Sequence, residues 1–184
     1  MHKRAEKLRG MITSAAMAAL GLTLPMAFNA VGLGSKFAPM LLPLMLNGFL
    51  SPLPWAVLTG AVVPLISALL TGMPPLYPPV ALLLCLEGAV SAGVAAALYG
   101  VSRRIWLPLI VSIVCGRAAS LAVTWFAAPW LGLPSAIVSL AALAQGLPGI
   151  ALQLAVIPLV VRALAKRRGI LFNHGHESEA TLLQ

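Results

Sequence analysis

Polar and apolar positions do not alternate along this chain. Apolar residues come in long runs broken by short groups of glycine, proline and charge. Such runs match the roughly 20 residues a helix needs to cross a hydrocarbon layer about 30 Å thick. The punctuation predicts six helices. The first covers Met11 to Val31, and a loop with Gly32, Gly34, Ser35 and Lys36 follows it. The second, Ala38 to Leu50, is short for a crossing and ends at the turn Ser51-Pro52-Leu53-Pro54. The third covers Trp55 to Thr71, the fourth Val80 to Val101, the fifth Ile105 to Trp130 and the sixth Ser135 to Ala165. The sixth is too long for one straight crossing, and Gly146, Pro148 and Gly149 mark its expected kink or break. Between the third and fourth helices lies Gly72-Met73-Pro74-Pro75-Leu76-Tyr77-Pro78-Pro79. Its four prolines exclude helix and predict a stiff, extended loop.

Composition turns this pattern into a fold class. Of 184 residues, 60% are hydrophobic and 9% charged, and the mean hydropathy is +0.99. A soluble domain carries roughly 25% charged residues, so water is excluded as the solvent. In bilayer only helices and closed barrels satisfy their own backbone, and the unbroken runs favour helices. The expectation is an all-α membrane protein. Residues 11–168 form a compact bundle of six transmembrane helices, between a basic N terminus at 1–10 and a polar C-terminal tail at 169–184. The apolar start resembles a signal peptide but continues without a small-x-small cleavage site, so an uncleaved first helix is expected.

The formal net charge of +8 raises the question of nucleic acid. Position answers it. Lys3, Arg4, Lys7 and Arg9 precede the first run, Arg103 and Arg104 separate the fourth and fifth, and Arg162, Lys166, Arg167 and Arg168 follow the sixth. With six crossings all three clusters fall on one side, as the positive-inside rule requires of the cytoplasmic face. Both termini are therefore expected in the cytoplasm, with the basic groups against anionic lipid and no nucleic-acid partner. Cys85 and Cys115 lie within apolar runs and read as small buried residues. His174 and His176 stand two apart on the tail and read as a solvated terminus, so no metal or cofactor is expected.

Inside the spans two ionisable residues remain, Glu87 in the fourth helix and Arg117 in the fifth. Each costs roughly 2.5–3.5 kcal/mol to insert and is a functional candidate on that ground. Counted along antiparallel helices, the two come within reach of one another. Two readings stand: an ion pair tying the helices together, and a site for a polar group of a substrate. Gln145 in the sixth helix, Asn29 near the end of the first and Trp125 in the fifth are expected in the same outer half, with Gln153 deeper. A carboxylate, a guanidinium, amides and an aromatic ring suit a pocket for a polar small molecule with a flat ring. Asn47 is read as glue between helices. Ser14 with Ala18, and Ala15 with Ala19, make flat small-residue strips on the first helix, for internal packing or for docking another membrane subunit.

The run Leu41-Leu42-Pro43-Leu44-Met45-Leu46-Asn47-Gly48, the segment Gly60 to Pro74 with its Leu-Thr-Gly-Met-Pro end, and Gly146-Leu147-Pro148-Gly149-Ile150-Ala151-Leu152-Gln153 resemble the substrate-binding S components of energy-coupling factor (ECF) vitamin transporters. The resemblance implies a subunit that captures a vitamin or related micronutrient outside a prokaryotic plasma membrane. One transmembrane coupling subunit and two ATPase subunits then drive its release inward. It also implies that Ala15 and Ala19 meet the coupling subunit, and that the Pro74 to Pro79 loop with Tyr77, together with Glu87, Arg117, Trp125 and Gln145, forms the pocket. No Gly-x-x-x-x-Gly-Lys-Ser/Thr motif is present, so energy for uphill transport comes from another chain or from an ion gradient. A solitary ion- or proton-coupled transporter is the competing expectation. A membrane enzyme ranks below both, because the spans hold no histidine or aspartate to act as base.

Overall fold

The computed structural model describes the backbone of residues 2–30, 32, 39–77, 79–102, 104–131 and 146–181. Side chains are described for the same residues except 2, 3, 5, 6, 127–131 and 167–181. Among the described residues there are six helices and no strand: α1 (His2–Ala30), α2 (Leu41–Leu50), α3 (Leu53–Thr71), α4 (Val80–Ser102), α5 (Trp106–Leu131) and α6 (Leu147–Thr181). Five of them are long and apolar enough to cross a membrane. The expected sixth crossing is corrected by α2. Its 10 residues extend about 15 Å at 1.5 Å per residue, half a hydrocarbon layer.

Proline chemistry explains the other shifted boundaries. The expected start of the third helix at Trp55 moves back to Leu53, with Pro52 at its N-cap and Pro54 in its first turn. An N–H is unneeded there and the fixed φ suits the helix. The expected sixth helix from Ser135 has its described start at Leu147, with Pro148 again in the first turn; residues 135–145 lie outside the described residues. That helix also runs on to Thr181, so backbone expected to be a separate tail from 169 is helical. At the end of α3, Gly72 takes φ +70° and its N–H bonds the Ala68 carbonyl. This left-handed cap needs glycine, because a Cβ there clashes with the backbone.

Small residues set the packing, with α4 at the centre. Gly60 of α3 and Gly88 of α4 meet backbone to backbone: a Cβ on Gly88 would lie 2.7 Å from the Gly60 carbonyl oxygen. A Cβ on Gly48 of α2 would lie 2.5 Å from the Ala92 oxygen, and one on Gly116 of α5 would collide with the Ser91 hydroxyl. Apart from Glu87, every buried residue of α4 is alanine, glycine or serine. In lipid, apolar side chains gain nothing by turning inward, so close backbone approach carries helix association. The converse holds at the periphery, where Leu69, Leu70, Val101 and Leu159 are all more than two thirds exposed.

Helix α1 runs parallel to α3. Gly10 sits on Pro52 and Trp55, and Gly21 on Val63 and Leu44; at the far end Asn29 reaches Met73. Midway, Ser14 exchanges hydrogen bonds with the fully buried Asn47 of α2, at 3.1 Å as donor and 3.0 Å as acceptor. The Ser51 hydroxyl donates to the same Asn47 oxygen at 2.6 Å. Asn47 is thus the packing link expected of it, joining α1, α2 and the α2–α3 turn. A cluster of Met45, Leu46, Phe49, Leu109, Ile157 and Val161 fills the end of the bundle near that turn.

Candidate functional site

Glu87 and Arg117 come together as the register of α4 and α5 requires. Arg117 Nε lies 3.1 Å from Glu87 Oε1. The Ser120 hydroxyl, one turn along α5 from Arg117, is 3.3 Å from Glu87 Oε2 and 3.1 Å from the Arg117 carbonyl oxygen. Its single proton serves one of these acceptors at a time. The carboxylate is buried, with 7% of its side chain exposed against 26% for Arg117. The guanidinium therefore keeps an open edge. A Cβ on Gly146, the residue before α6, would lie 2.9 Å from Arg117 Nη2 and 3.4 Å from Nη1. Glycine here lets the start of α6 rest on the guanidinium face. The contact to Glu87 runs through Nε, and the terminal nitrogens lie toward Gly146.

Beside the pair lies a cavity of about 10 Å³ lined by Leu41, Met45, Glu87, Ser91, Arg117 and Gln153, among others. Such a volume is the room of about one water molecule. Its polar lining is incompletely bonded. Ser91 is 5% exposed and Gln153 4%, and among the described residues neither side chain has a hydrogen-bond partner. Neither polar group is sealed away: among the described residues no fully buried side-chain nitrogen or oxygen lacks a hydrogen-bond partner, so both open onto the cavity. The beginning of α2 reaches the same cavity through Leu41, and Met40 at its N-cap makes no side-chain cap. Helix N-termini carry partial positive charge, so the site is rich in donors and holds one resident carboxylate.

The other expected site residues lie elsewhere. Asn29 is exposed, and its amide donates to Met73 Sδ at 3.4 Å, holding the end of α1 to the 72–77 segment. Tyr77 is 75% exposed on that segment. Trp125 is also exposed, edge-on to Phe126 at 6.3 Å between ring centroids. With Leu121, Ala122 and Thr124 it borders an open depression of about 260 Å³ on α5. None of the three lines the cavity. Gln145 lies outside the described residues, as do the side chains of His174 and His176. Among the described residues no cluster of three or more histidine, cysteine, aspartate or glutamate groups could hold a metal.

Sequence reasoning did not assign Ser91, Ser120 and Gly146 to this site and placed Gln153 below it. A signal was available in the spacing. Ser91 follows Glu87 by four residues and Ser120 follows Arg117 by three, which are the separations that share a helix face. The two small strips of α1 also separate. Ser14 and Ala18 turn inward, whereas Ala15 and Ala19 are exposed. No family model, curated protein or solved structure matches the chain.

Proposed function

We propose that this chain is the substrate-binding subunit of an ATP-driven importer of the energy-coupling factor type, taking a vitamin or related micronutrient from outside a prokaryotic cell. The observation that carries the reading is Arg117. Within an apolar bundle its Nε is held by Glu87, while its terminal nitrogens face Gly146 and a quarter of its side chain stays exposed. A guanidinium edge kept open at membrane depth is costly unless a solute uses it. The present cavity takes one water, so a micronutrient enters by moving the start of α6 away from Arg117. On this reading both termini are cytoplasmic. The exposed Ala15 and Ala19 strip meets the transmembrane coupling subunit, which joins two ATPase subunits, and Asn29, Tyr77, Trp125 and Gln145 border the route of entry.

The test is mass spectrometry of what co-purifies with the protein in detergent, followed by uptake of that compound in cells with and without an ECF module. One tightly held compound, imported only with the module, is the expected result. Uptake that persists without any ATPase favours a solitary ion-coupled carrier. That second reading draws on Glu87 beside a water-sized polar cavity. Chemical turnover of the bound compound overturns both.

A further inference from the structure

Resting on the reading of Glu87 and Arg117 as a solute site, we propose that Glu87 is an internal stand-in for a carboxylate on the solute. The incoming carboxylate takes Arg117 from Glu87, and the displaced Glu87 carboxyl is received by Ser91 and Gln153. The Arg117 guanidinium, the Ser91 hydroxyl and the Gln153 amide line the cavity beside one carboxylate. Ser91 and Gln153 are both at least nine-tenths buried, have no hydrogen-bond partner among the described residues, and line with Glu87 a cavity with room for about one water. Ser91 stands one turn from Glu87 on the same helix, within reach of a rotated carboxyl. The buried start of α2 at Leu41, where the N-cap Met40 makes no side-chain hydrogen bond, adds a further field favourable to negative charge.

Charge balance sets the form of the exchange. Among the described residues Glu87 and Arg117 are the ionisable groups that line the cavity from α2, α4, α5 and α6. Two carboxylates beside one guanidinium leave an uncompensated negative charge in a medium that solvates it poorly. The solute therefore arrives as a neutral carboxylic acid. Its O–H bond breaks, the proton passes to a Glu87 oxygen, and the resulting carboxylate pairs with Arg117. Glu87, now a neutral acid, donates to the Gln153 carbonyl oxygen and accepts from the Ser91 hydroxyl. The net charge of the site does not change.

Formate and acetate are the probes, with formamide as the neutral control, and the thermal midpoint of the full chain in detergent is the readout. Glu87→Ala lowers the midpoint, and formate or acetate restores at least half of the loss whereas formamide does not. Wild type needs roughly tenfold or more formate for the same response, because its own carboxylate occupies Arg117 most of the time. Glu87→Ala combined with Arg117→Gln is insensitive to formate. Should Glu87→Ala fail to fold, the same titration on Glu87→Gln keeps the shape and removes the competitor. No stabilisation of either variant by formate, or an equal response from wild type, overturns the proposal. So does a co-purified solute without an acid group that binds Glu87→Gln as tightly as wild type, a result that leaves the transport reading standing. The transport reading falls separately, when wild type carries no solute at all.

Discussion

The backbone-to-backbone crossing of α3 and α4 depends on Gly60 carrying no side chain. Gly60→Ala adds one methyl group whose carbon lies 2.5 Å from the Gly88 carbonyl carbon and 2.7 Å from the Ala89 nitrogen, where ordinary contact begins at 3.4 Å. All of these neighbours are backbone, so no rotamer change relieves the overlap. The helices must part by about 1 Å, enough to forfeit a quarter to a half of the dispersion well along the seam. Overpacking of this kind costs about 1–3 kcal/mol. Against it stands the intrinsic gain of alanine over glycine in a helix, about 0.5–1 kcal/mol. Gly100→Ala isolates that gain, since nothing lies within 4 Å of its added carbon. The two variants share the propensity term, so their difference in unfolding free energy is the steric cost, about 1–3 kcal/mol. Denaturant titration in mixed micelles measures both. Gly60→Ala is expected below wild type and Gly100→Ala at or above it. Equal stability of the two would show that the glycine crossing does not hold the bundle. Because Gly88 adjoins Glu87, Gly60→Ala should also weaken solute binding, while Gly100→Ala leaves it unchanged.

Asn47→Ala strands the buried Ser14 and Ser51 hydroxyls and should cost about 1–3 kcal/mol in the same titration; a loss below about 0.5 kcal/mol denies Asn47 its linking role. Glu87→Met and Arg117→Met each leave one charge uncompensated and should cost about 3 kcal/mol, whereas the double variant recovers most of that loss. Additive losses would mean that the two charges are not coupled. Ala15→Leu and Ala19→Leu alter exposed positions, so stability and solute binding should stay within about 0.5 kcal/mol of wild type. Uptake through the coupling subunit should fail in both, and normal uptake removes the docking assignment.

The Glu87–Arg117 pair could be found from sequence because depth in a membrane helix is a matter of counting at 1.5 Å per residue. Both charges lie far from the helix ends, and antiparallel neighbours bring matching depths together. Counting said nothing about rotation around each axis. Depth alone suits Trp125, but Thr124 faces the bundle and its neighbour, about 100° further round, faces out. For the strips on α1 the sequence leaves packing and docking open, and the same rotation sends Ser14 inward and Ala15 outward. Helix starts failed for another reason. Apolar residues before Leu41 look the same in and out of a helix, and Pro52 and Pro54, which read as a turn, sit at the N-cap and in the first turn of α3.

The sequence by itself determined the solvent, the helical class and the axial position of each costly group, because charge and proline in hydrocarbon are penalised wherever they fall. Only the tertiary structure decided which face of each helix turns inward and that Ser91 and Gln153 share a cavity with the ion pair. Lipid explains the division. Where the surroundings are as apolar as the interior, hydrophobicity marks no inner face, and close glycine crossings choose it instead.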